Sequence, residues 1–171
     1  GMIDLRHPKE SDADLLYPLL IDTTVTETIA WDGPESLEEY RQRMKDRAVQ
    51  VAEGKSHFFI IVERASGHPI GSCSVRPEED SLYGSLGLWL GEPYQGKGYG
   101  TAVVRMLVDY GFEKLGLSRM EAQVFVGNWP SRRVFEKNGF AVVCITRGAV
   151  EKRGVWVDAW KLAIERDTST A

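Results

Sequence analysis

Residues suited to metal and redox chemistry are scarce in this chain, which holds two cysteines and three histidines among 171 residues. Cys73 and Cys144 are isolated with no C-x-x-C pair, and His7, His57 and His68 are scattered, so no ligand spacing points to a metal site. Two buried, reduced thiols are the expectation for the cysteines. Long apolar runs are lacking too. Nothing approaches the roughly 20 apolar residues that cross a bilayer, and the N-terminus shows no signal-peptide apolar region. Those absences predict a cytoplasmic protein with no membrane partner. A basic cluster is absent as well: the formal charge is −4, and without a dense Lys/Arg block there is no electrostatic footprint for nucleic acid. Repeats, linkers and low-complexity segments are missing as well. What remains, at 43% hydrophobic residues, suits one domain over residues 1–171 with a sizeable core. Gly1 before Met2 reads as a tag scar, and residues 166–171 read as a frayed polar tail.

The patterns that are present alternate between strand and helix. Ile3 to Arg6 reads as a first strand, Ser11 or Asp12 can cap a helix to about Leu20, and Ser36 with Glu39 forms a capping box for a helix to about Glu53. Ser56 to Glu63 and Ile70 to Val75 form an antiparallel hairpin around Ala65-Ser66-Gly67-His68. Leu82 to Leu90 supplies another strand. Val103, Val104, Leu107, Val108, Phe112 and Leu115 stand at helical spacing, predicting a helix over about Gly98 to Leu115 closed by Gly116. Met120 to Val126 is a strand, and Asn128 caps a helix over Pro130 to Asn138. Phe140 to Val150 and Val155 to Ile164 close a hairpin around Lys152-Arg153-Gly154. Trp156 and Trp160, four apart on that last strand, face the same side, which predicts core or dimer contacts for both. The oligomeric state is left open by the sequence, although an exposed final strand could pair with a second copy to form a homodimer.

The densest signal is Gln95-Gly96-Lys97-Gly98-Tyr99-Gly100-Thr101, a glycine-rich turn that feeds directly into an amphipathic helix. Helix N-termini leave backbone N–H groups without intrahelical acceptors and carry partial positive charge, so such a turn suits a pyrophosphate. Gly91 through Lys97 match the first seven positions of a Walker A loop, but Gly98 stands where a magnesium-binding hydroxyl belongs. The dinucleotide fingerprint fails too, because Gly100 comes one position early. The pattern Q/R-x-x-G-x-G/A does fit, with Gln95, Gly98 and Gly100 in register behind the strand-like Leu86-Gly87-Leu88-Trp89-Leu90.

That pattern resembles the acyl-CoA-binding motif of the GNAT family of N-acetyltransferases. A second stretch, Asn128 through Phe140, is similar to the family's downstream signature N-x-x-[AS]-x-x-v-[YLF]-x-k-x-G-F. Thr24 to Pro34 and Gly154 to Asp158 look most like the RimJ/RimL branch, which acetylates N-termini of ribosomal proteins. The resemblance implies an α/β fold: a central, mostly antiparallel sheet, splayed at two parallel strands (Leu82 to Leu90 and Met120 to Val126) and flanked by helices. It implies acetyl-CoA as co-substrate and a primary amine as acceptor. Trp89 and Leu90 would offer backbone groups to the pantetheine arm, with a backbone N–H near Leu90 for the developing oxyanion. Gln95, Gly96, Lys97, Gly98, Tyr99, Gly100 and Thr101 would hold the pyrophosphate. Asn128 would touch the pantetheine arm, and Ser131 would lie near the sulfur. Trp31 and Asp32 would line the acceptor pocket, walled by Asp22 to Pro34 and Val150 to Val157.

The chemistry expected is direct attack of the amine on the thioester. Many relatives carry Tyr where this chain has Phe135, which cannot donate a proton, so Ser131 is the candidate donor to the leaving thiolate. Relatives often start the phosphate-side strand with Glu, where Ser85 stands here. Glu151, Asp158, Glu27 and Asp32 remain as candidate bases, with Glu151 favoured through a bridging water. The same departures leave open an acyl-CoA-binding module without catalysis, and the near-Walker loop leaves nucleotide binding as a remoter alternative.

Overall fold

The computed structural model describes residues 2–167. The strands are β1 (Ile3–Arg6), β2 (His57–Glu63), β3 (Pro69–Pro77), β4 (Tyr83–Leu90), β5 (Arg119–Phe125), β6 (Ala141–Lys152) and β7 (Val155–Glu165); the helices are α1 (Asp12–Leu20), α2 (Leu37–Ala52), α3 (Tyr99–Asp109) and α4 (Trp129–Glu136). Among the described residues, hydrogen bonding joins seven strands in the order β1-β2-β3-β4-β5-β7-β6. The β4/β5 pair is parallel, whereas β1/β2, β5/β7 and β6/β7 are antiparallel. This is the mixed α/β sheet expected from the sequence.

The chain forms two compact units, one of residues up to Ser74 with Leu88–Val103, the other of Val75–Gly87 with the chain from Val104 onward. In the first, Ala13, Leu16 and Leu20 of α1 pack with Tyr40 and Met44 of α2, Ile60 of β2 and Trp89 of β4. Burial of each such large side chain is worth about 1.5–3 kcal/mol. The helix starts differ from the sequence reading in detail. Ser36 Oγ accepts the Glu39 N–H at 3.0 Å, but Glu39 reaches back to the Glu35 N–H at 3.3 Å, one residue ahead of a capping box. At α1, Ser11 makes no side-chain cap. Asp12 does not cap the first turn either but ties the chain ahead of it: its buried carboxylate accepts the Lys9 N–H at 2.9 Å and two Arg6 guanidinium N–H groups, at 2.7 and 2.9 Å.

In the second unit the parallel ladder runs only from Tyr83↔Arg119 to Leu86↔Ala122, so β4 outruns its pairing with β5. The last strand is not the edge. β7 pairs with β5 on one side and β6 on the other, which leaves β6 outermost. The exposed member of the hairpin is therefore β6 rather than the final strand, which also overturns the expected burial of Cys144. Cys73 is buried, and burial pushes its thiol well above the usual range, whereas Cys144 on the β6 edge is exposed. Trp160 is 6% exposed and belongs to the core, but Trp156 is 65% exposed.

The helix expected over 98–115 is α-helical only to Asp109 and then widens into a π-turn over Tyr110–Lys114. Within that turn Gly111 packs against β5, where a Cβ would run into the Met120 sulfur. Of the tail expected to fray, Arg166 donates its N–H to the Ser118 carbonyl at 2.8 Å. Residues 168–171 and residue 1, on which the tag-scar and tail expectations partly rest, lie outside the described residues.

Candidate active site

The glycine-rich loop lies in the first unit, between β4 and α3. Gly91 donates its N–H to the Ile70 carbonyl at 2.8 Å, continuing contact with β3 past the end of β4. Here the two backbones crowd: a Cβ on Gly71 would sit 2.1 Å from the Trp89 carbonyl oxygen. Only glycine tolerates that approach. A 3₁₀ turn over Glu92–Tyr94 follows, tied down by the Glu92 carboxylate, which accepts the Thr24 N–H at 2.8 Å. Gln95 then folds back and donates its side-chain amide to the Leu90 carbonyl at 2.9 Å. The motif glutamine therefore closes the loop on itself.

Gly96 and Gly98 adopt φ of 73° and 85°, with nothing within 4 Å of where a Cβ would stand. Their role is conformational rather than steric. Ala102 makes the first helical bond of α3, to the Gly98 carbonyl at 3.2 Å. Amides of a helix's first turn have no intrahelical acceptor by geometry, so those of Gly98, Tyr99 and Gly100 stand at the end of the helix that favours an anion. The Lys97 ammonium is exposed and lies 6.0 Å from the Tyr94 ring centroid. These features fit a pyrophosphate.

Tyr99 is anchored by its side chain. Its buried phenol donates to Glu63 Oε2 at 2.8 Å. That hydrogen bond, with a second from Ser66, holds the Glu63 carboxyl below the usual range and raises the Tyr99 phenol above its own. The start of α3 is thus fastened to the end of β2. Nothing in the spacing of Glu63 signals this, because its partner is 36 residues away. Trp89 and Leu90 are 7% and 9% exposed, which leaves their backbone rather than their side chains for ligand contact. Trp31 is half-buried against the first core, its ring 5.9 Å from Tyr40 and 5.6 Å from the Arg43 guanidinium. Asp32 beside it is exposed.

The remaining expected residues lie in the second unit. Asn128 caps α4 as the sequence suggests, its Oδ1 accepting the Ser131 N–H at 3.3 Å. Ser131 is half-buried in the first turn. That turn is clamped by aromatic stacking: the Arg132 guanidinium lies 4.7 Å from Trp129 and 4.6 Å from Trp160, whose rings are 4.8 Å apart. Phe135 is 4% exposed and meets Phe140 edge-on at 5.2 Å, a purely apolar contact. Glu151 is exposed on β6, directly opposite Trp156. Asp158 accepts the Gly148 N–H at 2.8 Å and lies 3.4 Å from Arg147, so its carboxylate is committed to the backbone of β6. Among the described residues no group of three or more His, Cys, Asp or Glu is placed to hold a metal ion, and no helix is long and apolar enough to cross a membrane.

Comparison with known proteins gives the family and the fold. The family profile described as "Acetyltransferase (GNAT) domain" matches residues 3–141. The "Probable N-acetyltransferase YjcK" of Bacillus subtilis (strain 168) is 34% identical over 137 residues, covering 78% of this chain and 75% of that protein. The N-acetyltransferase p20 of Bacillus licheniformis is 26% identical over 163 residues, covering 95% and 92%. In fold, the chain is similar to RimL, a ribosomal L7/L12 α-N-protein acetyltransferase solved in complex with coenzyme A, with a TM-score of 0.86 at 20% identity over 99% of this chain and 97% of that one. On the strength of these matches, the chain belongs to the GNAT family of acetyl-CoA-dependent N-acetyltransferases.

Proposed function

We propose that the protein transfers the acetyl group of acetyl-CoA to a primary amine, with a peptide or protein N-terminus as the favoured acceptor, by direct attack in a ternary complex. The observation that carries this reading is the loop closed by Gln95 on Leu90, with positive-φ glycines opening onto the first turn of α3. Its amides and Lys97 would take the pyrophosphate, from Gln95 through Thr101. Backbone groups of Trp89 and Leu90 would extend the sheet ladder to the pantetheine amides. Asn128 would serve the same arm from the cap of α4. Ser131 would donate a proton to the departing thiolate, the role Phe135 cannot fill.

An N-terminal acceptor suits this proton economy. An α-amine has a pKa of roughly 7.7–8.0 and a lysine side chain about 10.4, so only the second needs a strong base near neutral pH. Glu151, acting through water, would suffice for the first. Asp158 is withdrawn from the set of bases by its bond to the Gly148 N–H. Trp31 and Asp32 would contribute to the acceptor wall.

The test is free-thiol release from acetyl-CoA, for wild type and Ser131→Ala, against peptide N-termini, amino acids, polyamines and aminoglycosides. Turnover with peptides, reduced about 10-fold or more in the variant with acetyl-CoA binding intact, is the expected result. Turnover unchanged in the variant removes Ser131 from the mechanism. Binding of acetyl-CoA without turnover of any amine overturns the acceptor assignment.

A further inference from the structure

The tip of the β6–β7 hairpin carries an exposed arrangement that neither cofactor binding nor core packing explains. Its two turn residues, Arg153 and Gly154, take φ of 51° and 82°, the primed geometry that matches the twist of a hairpin. Below the turn, Lys152 pairs with Val155, Glu151 with Trp156 and Val150 with Val157. Directly opposed residues share a sheet face, and successive pairs switch faces. Glu151 and Trp156 therefore stand side by side on one face, and Lys152 lies on the other.

The next position on the Trp156 face is Asp158. There the register jumps from Val150↔Val157 to Thr146↔Ala159, so residues 147–149 of β6 bulge opposite a single residue of β7. Bulges of this kind re-aim side chains. Asp158 holds it in place through the Gly148 N–H, and it also lies 3.4 Å from Arg147. Gly148, at φ 55°, backs the indole: a Cβ there would lie 3.9 Å from both Cβ and Cε3 of Trp156. One side of the tryptophan is thus supported, and the residue is still 65% exposed. Four residues along β7, Trp160 stacks on Trp129 and Arg132 of α4, so the helix bearing Ser131 covers the same sheet face.

An aromatic plate beside an exposed carboxylate has a definite chemistry. The ring face attracts a cation within about 6 Å of its centroid, and a carboxylate alongside adds a full negative charge. Arg147 does not cancel that charge, being matched by Asp158. We propose that Trp156 and Glu151 form the docking site for the acceptor's ammonium group, selecting amines carried on an uncharged or apolar chain over anionic and polyol acceptors. This rests on the acetyltransferase reading above and assigns Trp156 to acceptor recognition.

The experiment compares wild type with Trp156→Leu and Trp156→Phe, using the best peptide acceptor of the panel and its N-trimethylated counterpart, which keeps the cation but cannot be acetylated. Trp156→Leu should raise the acceptor KM at least 10-fold while leaving the acetyl-CoA KM within 2-fold, and Trp156→Phe should restore part of the loss. The trimethylated peptide should compete with acceptor on wild type and bind at least 10-fold more weakly to Trp156→Leu. An unchanged acceptor KM, an equal rise in both KM values, or a Trp156→Leu variant whose sedimentation shows altered self-association would overturn the proposal. Should wild type acetylate no peptide, the functional reading falls separately. Calorimetric binding of a trimethylated alanyl peptide to wild type but not to Trp156→Leu would still uphold the docking site, and no binding to wild type would refute it.

Discussion

Glycine does two distinct things around the loop ahead of α3, and the difference is measurable residue by residue. At Gly71 the constraint is steric, since a Cβ would stand 2.1 Å from the Trp89 carbonyl. Backbone cannot yield as a flexible side chain does, so Gly71→Ala must displace Trp89 and Leu90 together. We expect a loss of about 2–4 kcal/mol in denaturant unfolding, the range of overpacking and strain combined, with a raised KM for acetyl-CoA. At Gly98 the space is open and only φ, at 85°, is demanding. Gly98→Ala should cost about 1–2 kcal/mol and still fold, yet lose acetyl-CoA affinity because the first-turn amides shift. Equal stability losses in the two variants would contradict the distinction. Gly98 was legible in the sequence because its role is local and belongs to a compact motif. Gly71 was not, because what it touches lies across a strand pair, and no spacing within one segment encodes that.

At the level of elements, the Tyr99 to Glu63 hydrogen bond fastens α3 to β2 and makes a pH signature. The carboxyl is held below its usual range, so its contribution is present above the unfolded value of about 4.3 and lost as pH falls through the lowered one. The phenol is raised, so its contribution is present below about 10 and lost as pH climbs past it. The stability difference between wild type and Tyr99→Phe should therefore be flat from about pH 5 to 9 and shrink on both sides, as read from denaturant midpoints across the range. A difference that persists at pH 3 would mean the phenol matters through packing alone. Most elements were legible from periodicity and caps, because helix and strand signals are local. Their modifications were not: Gly111 within the π-turn at Tyr110–Lys114 packs against Met120, and the bulge at 147–149 is held by Asp158. Each meets a residue on another element.

Over the whole molecule, strand order was the least legible feature. Periodicity correctly marks β6 and β7 as a hairpin but cannot say which member lies against β5. β7 takes the inner place because its Ala159, Leu162 and Ala163 suit burial on both faces, whereas β6 is exposed along most of its length. That single choice decides that Cys144 is exposed and Trp160 buried. The glycine-rich loop makes the converse case, since seven adjacent letters carry its own conformation and, with it, an expectation about ligand class that can be tested directly. Gly98 supplies backbone freedom but no hydroxyl for magnesium, so the loop should respond to CoA and not to magnesium-ATP. Ligand that binds only the folded chain stabilises it by about 2.7 kcal/mol at 100 times its Kd, and the melting temperature should rise with CoA accordingly. Addition of magnesium-ATP should leave it unmoved. A rise with magnesium-ATP that chelation abolishes would return the loop to the nucleotide class, whereas a rise with CoA that Gly98→Ala suppresses would tie the cofactor to the turn ahead of α3.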